Sequence, residues 1–108
     1  MDLSVVIVNW NVKDLLRSCL HSLLTAAQTF PQIRTEIIVV DSASTDGSAE
    51  MVCLEFPQAL LVVSPENLGY AKGNNTGAKL TQGRYLLLLN PDTEVKPDTL
   101  QQLVNYLD

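Results

Sequence analysis

Tyr85-Leu86-Leu87-Leu88-Leu89-Asn90-Pro91-Asp92-Thr93-Glu94 is an apolar run that halts at an amide, a proline and a carboxylate. The stretch from Tyr85 to Leu89 has neither charge nor alternation, which predicts a strand buried on both faces, while Asn90, Pro91 and Asp92 suit neither a ladder nor a core. Ligands of open α/β sheets sit beyond the carboxyl ends of the strands, so this amide and carboxylate can reach an oxygen-seeking cation or a sugar hydroxyl.

Earlier segments repeat the same design. Leu3 to Trp10 contains the β-branched run Val5-Val6-Ile7-Val8 and ends in Asn9-Trp10-Asn11; Glu36 to Val40 ends at Asp41; Leu60 to Val63 ends in Ser64-Pro65-Glu66-Asn67. Each predicts a buried strand with a polar tip. Between them, Val12, Leu15, Leu16, Cys19, Leu20, Leu23 and Leu24 form one helical stripe, with Asn11 placed to cap it and His21 off the stripe. A second helix is expected to turn Ala49, Val52, Cys53 and Phe56 inward before Pro57, after the capping-rich turn Asp41 to Ser48. Pro97 suits the first position of a last helix bearing Leu100, Leu103, Val104 and Leu107.

Leu68 to Thr81 must hold the third helix, yet it contains Gly69, Gly73, Gly77, Asn74 and Asn75, all poor helix formers. Glycines four apart let a backbone or ligand approach closely, and the asparagines can hydrogen-bond across a groove. Four strand-then-helix units predict an α/β fold: a doubly wound, mostly parallel sheet in the order 3-2-1-4 with helices on both faces.

Composition narrows the partners. With 108 residues, 46% of them hydrophobic, the chain makes one globular domain, residues 1–108. A net charge of −5 argues against nucleic acid and against an anionic membrane surface, so any phosphate must be held by local groups or a metal. Cys19 and Cys53 lack disulfide or zinc spacing and are assigned to the core. Neither a basic leader nor a spanning segment is seen, so the chain reads as cytoplasmic, and Asn74-Asn75-Thr76 is then no glycosylation acceptor. The glycine fingerprints of the dinucleotide fold and of the P-loop are missing.

The stretches Val5 to Asn11, Val39 to Ser48, Asn67 to Gly77 and Leu88 to Glu94 resemble, in this order, the motifs of family-2 glycosyltransferases, especially rhamnosyltransferase-like members. That resemblance implies a Rossmann-like, A-type nucleotide-sugar fold, inverting transfer from a UDP- or dTDP-linked sugar to a polysaccharide or glycolipid acceptor, and Mg²⁺ or Mn²⁺. It implies nucleotide contacts from Val8, Asn9, Asn11, Asp41, Ser44, Asp46, Asn67, Gly69, Lys72, Asn75, Asn90 and Asp92. Asp41 would take the base edge and Asp92 the metal; Asn90 stands where the family carries a first acid. The chain is expected to be the donor-binding, N-terminal part of a longer enzyme, peripheral to the inner membrane face if membrane-associated at all. No catalytic base can be assigned, so the isolated chain is expected to transfer little.

A non-catalytic interaction module and a receiver-type phosphoacceptor domain are the rival readings. The second needs paired acids after the first strand, where Asn9 and Asn11 stand. Last, an uncharged edge strand at Tyr85 to Leu89 predicts self-association, most simply as a dimer.

Overall fold

A computed structural model describes residues 1–108. Strands β1 (Leu3–Asn9), β2 (Thr35–Ser42), β3 (Leu60–Ser64) and β4 (Tyr85–Leu89) alternate with helices α1 (Lys13–Thr29), α2 (Ser48–Glu55), α3 (Gly69–Ala78) and α4 (Thr99–Leu107). All pairings are parallel and the order is β3-β2-β1-β4, as the alternation of elements led us to expect.

Side-chain alternation sorts the central strands onto two layers. Leu3, Val5 and Ile7 of β1 and Ile37 and Val39 of β2 meet Leu16, Leu20 and Leu23 of α1, Met51 and Val52 of α2, and Leu100 and Val104 of α4. Val6, Val8, Ile38 and Val40 point the other way, where α3 alone covers them. The glycines make that cover possible. A Cβ on Gly73 would lie 2.7 Å from Val8 Cγ1, and one on Gly77 would lie 2.5 Å from Val6 Cγ1. Helix α3 therefore sits closer to the sheet than any side chain would allow, and this close approach outweighs its poor helix propensity.

Several expectations are corrected. Strand β4 is not buried on both faces: Leu86 and Leu88 are 47% and 44% exposed, because α3 packs on β1 and β2 and leaves the edge strand bare. Strand β3, on the opposite edge, is likewise only partly covered. Cys19 is buried but Cys53 is exposed, since α2 turns Ser48, Met51 and Val52 inward instead. Leu15 also faces solvent. Asn11 has φ 53° and does not cap α1; the amide of Lys13 donates to Asp46 instead, at 3.0 Å. Pro97 lies in a turn ahead of α4, which begins at Thr99.

Candidate functional site

The carboxyl ends of β1 and β2 carry two polar systems on opposite sides of the sheet. Asn9 and Asp41 are register partners, so their side chains leave the same face, the one covered by α1 and α2. Asn9 Nδ2 donates to Asp41 Oδ1 at 3.0 Å and lies 3.3 Å from Ser44 Oγ. The Ser44 amide donates to Asp41 Oδ2 at 3.1 Å. Asp41 is only 1% exposed and both its oxygens are engaged within the chain. The carboxylate expected to read a base thus anchors the turn that follows β2.

That turn is tied to the end of β1. Asn11 N–H donates to Ser44 Oγ and Asn11 Oδ1 accepts from Thr45 N–H at 2.7 Å. Asp46 takes the Lys13 amide, the Ser48 amide and the Ser48 hydroxyl, serving the first turns of both α1 and α2. Burial pushes the Asp46 pKa upward, but these hydrogen bonds outweigh it and hold the carboxyl below its ordinary value. Asn9 and Asn11 consequently share Ser44 as a partner in this arrangement, while Asp46 serves the two helix starts.

One residue further along β2, alternation reverses the direction. Ser42 shares the side of Val8 and Val40, and there a cleft of about 330 Å³ opens, lined by Val8, Trp10, Val12, Ser42, Asn67, Gly69, Tyr70 and Pro91. Trp10 and Tyr70 are 54% and 55% exposed although both are large aromatics. Ser42 Oγ donates to Asn67 Oδ1 at 3.0 Å and accepts from Leu68 N–H, while Gly69 N–H donates to the same Asn67 oxygen at 3.0 Å. Gly69 has φ +74° and nothing within 4 Å of where a Cβ would stand, so the chain turns into α3 here without crowding the cleft. A larger cleft of about 470 Å³ lies beside Lys13, Arg17, Glu50 and Glu55, but Arg17 is committed to Glu55 and Asp14.

Beyond β4, the 90–95 turn is fastened to α1. The Cys19 thiol lies 3.9 Å from the Asn90 carbonyl, and the Val95 amide donates to Ser22 Oγ, which itself donates to the Cys19 carbonyl. Burial, with the nearby charges of Asp92 and Glu94 adding to it, pushes the Cys19 thiol up to about 12. Asn90 and Asp92 remain exposed. No group of three His, Cys, Asp or Glu side chains gathers in these 108 residues.

Of the residues expected to touch a nucleotide, Val8, Asn67 and Gly69 line the cleft; Lys72 and Asn75 are exposed on α3. Asn74, beside Asn75, is the buried amide of that helix at 5% exposure, and neither of its polar atoms has a partner in the chain. Trp10, Ser42, Tyr70 and Pro91 line the cleft without having been assigned to it from sequence. One signal could have found one of them: Trp10 is an aromatic placed just past the end of a strand.

A family model described as glycosyl transferase family 2 matches residues 4–108. Glycosyltransferase GlyA of Streptococcus pneumoniae is 35% identical over 104 residues, which is 94% of this chain and 14% of that protein. The crystal structure of S. aureus TarS in complex with UDP-GlcNAc superposes with a TM-score of 0.85 at 30% identity, covering 100% of this chain and 31% of that one. The mannosyltransferase PcManGT from Pyrobaculum calidifontis in complex with GDP-Man and Mn²⁺ gives a TM-score of 0.86 at 31% identity over 97% of this chain and 32% of that one. The chain thus spans a third or less of each of these proteins.

Proposed function

The chain belongs to glycosyl transferase family 2, and from that premise we propose that it is the donor-binding part of an enzyme that transfers a sugar from a nucleoside-diphosphate sugar to an acceptor hydroxyl. The observation that carries this reading is the cleft at the ends of β1 and β2, flanked by the exposed rings of Trp10 and Tyr70. Flat apolar walls with few polar groups suit a stacked base, and the ends of parallel strands are where such sheets take their ligands. Relatives of this fold bind UDP-GlcNAc and GDP-Man, which supports a nucleotide sugar as the donor.

In this reading Asp41 does not touch the base; it holds the 41–46 turn, and Asn67, held in place by Ser42, meets the ligand. The diphosphate extends toward Asn90 and Asp92. A divalent ion fits there only in the manner of Mg²⁺ or Mn²⁺ held by few carboxylates with phosphate oxygens and water, because the exposed acids Asp92 and Glu94 belong to no three-ligand cluster. When bound, that ion would neutralise charge on the leaving diphosphate. Transfer with inversion to a polysaccharide or glycolipid acceptor belongs to the whole enzyme. No helix of the chain is long and apolar enough to cross a membrane, and a cytoplasmic or membrane-peripheral location is part of the proposal. The bare edge of β4, with Leu86 and Leu88 exposed, supports self-association of this chain.

Calorimetric titration of UDP with and without Mn²⁺ tests the assignment. We expect saturable UDP binding that Mn²⁺ strengthens, and we expect Asp92→Ala to abolish the strengthening while the metal-free binding survives. UDP that fails to bind under either condition would overturn the donor reading, and an Asp92→Ala variant still responding to Mn²⁺ would overturn the metal assignment.

A further inference from the structure

We propose that Ser22, a residue of α1 outside the cleft, is a positioning residue for the diphosphate and its metal ion, fixing where the acids of the 90–95 turn stand; this rests on the metal-binding reading above. The turn needs a fixing point because the strand that carries it offers little support. Strand β4 lies at the edge of the sheet with Leu86 and Leu88 about half exposed, and α3 packs on β1 and β2 instead. Within the turn, the Thr93 amide donates to the Asn90 carbonyl at 3.1 Å, which puts Pro91 and Asp92 in the two central positions, proline being favoured at the first of these. That bond shapes the turn but does not orient it on the protein.

Orientation comes from α1. Only two hydrogen bonds join residues 90–95 to the rest of the chain, and both end on this helix: the Cys19 thiol lies 3.9 Å from the Asn90 carbonyl, and the Val95 amide donates to Ser22 Oγ at 3.1 Å. Cys19 and Ser22 are three residues apart and so share one face of the helix. Their contacts bracket the segment, and the exposed acids Asp92 and Glu94 both fall between them. A thiol is a weak donor, so the serine is the stronger of the two ties. Its proton is already given to the Cys19 carbonyl at 2.7 Å, which leaves Oγ as an acceptor for the Val95 amide. The Val95 side chain packs against the main core as well. An ion held by few carboxylates is sensitive to where each one stands, and removing a group that orients a metal ligand costs about tenfold to a hundredfold in metal affinity.

Ser22→Ala removes the acceptor and keeps the helix, alanine being its best former, while Ser22→Thr keeps the hydroxyl. Two readouts separate the tie from its effect. Hydrogen exchange of the Val95 amide in the metal-free chain should be slow in the parent and in Ser22→Thr, and about tenfold or more faster in Ser22→Ala. In calorimetric titrations of UDP, the gain in affinity that Mn²⁺ brings should shrink about tenfold in Ser22→Ala and be retained in Ser22→Thr, with metal-free UDP affinity the same in all three chains. A loss of metal-free binding in step with that gain would mean a general loosening of the fold and would overturn the inference. So would a parent-like gain in a Ser22→Ala chain whose Val95 amide has been released, or a Val95 amide that exchanges freely in the parent, a result that needs no variant to fold. A parent whose UDP binding does not respond to Mn²⁺ removes the metal reading itself, and this inference with it, before any variant is compared.

Discussion

Asn9 gives a side-chain N–H to Asp41 at 3.0 Å across two neighbouring parallel strands, and the pair is sealed from solvent on the α1 side of the sheet. With the Ser44 amide on its other oxygen, this contact makes the strand-end carboxylate a fastening for the chain that follows it. It also leaves Asn9 Oδ1 as a buried acceptor without a protein partner, so the pair has little slack to absorb a further loss.

Asp41→Ala should therefore act on stability first. It strips acceptors from Asn9 Nδ2 and from the Ser44 amide, and a buried donor left unpaired costs about 1–3 kcal/mol. We expect a lower urea midpoint, with UDP affinity at a temperature where the variant is folded changing little. A fully stable variant that has lost UDP binding would mean that Asp41 touches the nucleotide after all.

Trp10→Ala should do the reverse. The ring is more than half exposed, so its removal takes little from the core, while a base that stacks on it loses about 1–3 kcal/mol. Trp10 is the only tryptophan of the chain, so nucleotide binding should also quench its fluorescence. An unquenched signal alongside calorimetric binding would place the base elsewhere.

Gly77→Ala tests the close approach of α3. On an exposed helix this exchange gains stability, since Gly costs about 1 kcal/mol relative to Ala. Here the added methyl would stand 2.5 Å from Val6 Cγ1 and 3.2 Å from Val40 Cγ2, so we expect a net loss of about 1–3 kcal/mol from overpacking. A midpoint equal to or above that of the parent would show that α3 can lift off the sheet without cost.

Acid should weaken the junction of α1 and α2. The folded pKa of Asp46 lies below its ordinary value of 3.8, because hydrogen bonds from Ser48 and Lys13 outweigh the upward push of burial. A lowered folded value means that protonation favours the unfolded chain, so this contribution is complete above 3.8 and disappears as the pH falls through the folded value. Denaturant midpoints of the parent and of Asp46→Ala should differ at neutral pH and converge below 3.8. A constant difference across that range would exclude Asp46 as the titrating group.

Read alone, the chain declared its architecture because each layer leaves a local trace. Apolar runs ending in polar tips marked the strands, the three-and-four stripe of Leu16, Cys19, Leu20 and Leu23 marked α1, and their alternation allowed little besides a parallel sheet in the order β3-β2-β1-β4. Motif order likewise pointed to the family. What the sequence could not carry was direction across the sheet. The run Ile37 to Val40 is buried on both faces and so lacks the alternation that would show which way Asp41 and Ser42 point. Only the placement of α1 and α2 on one side and α3 on the other decided that Asp41 is sealed against Asn9 while Ser42 turns to the cleft. The same holds for β4, whose uniform leucines hid a bare face that exists because α3 stops short of it.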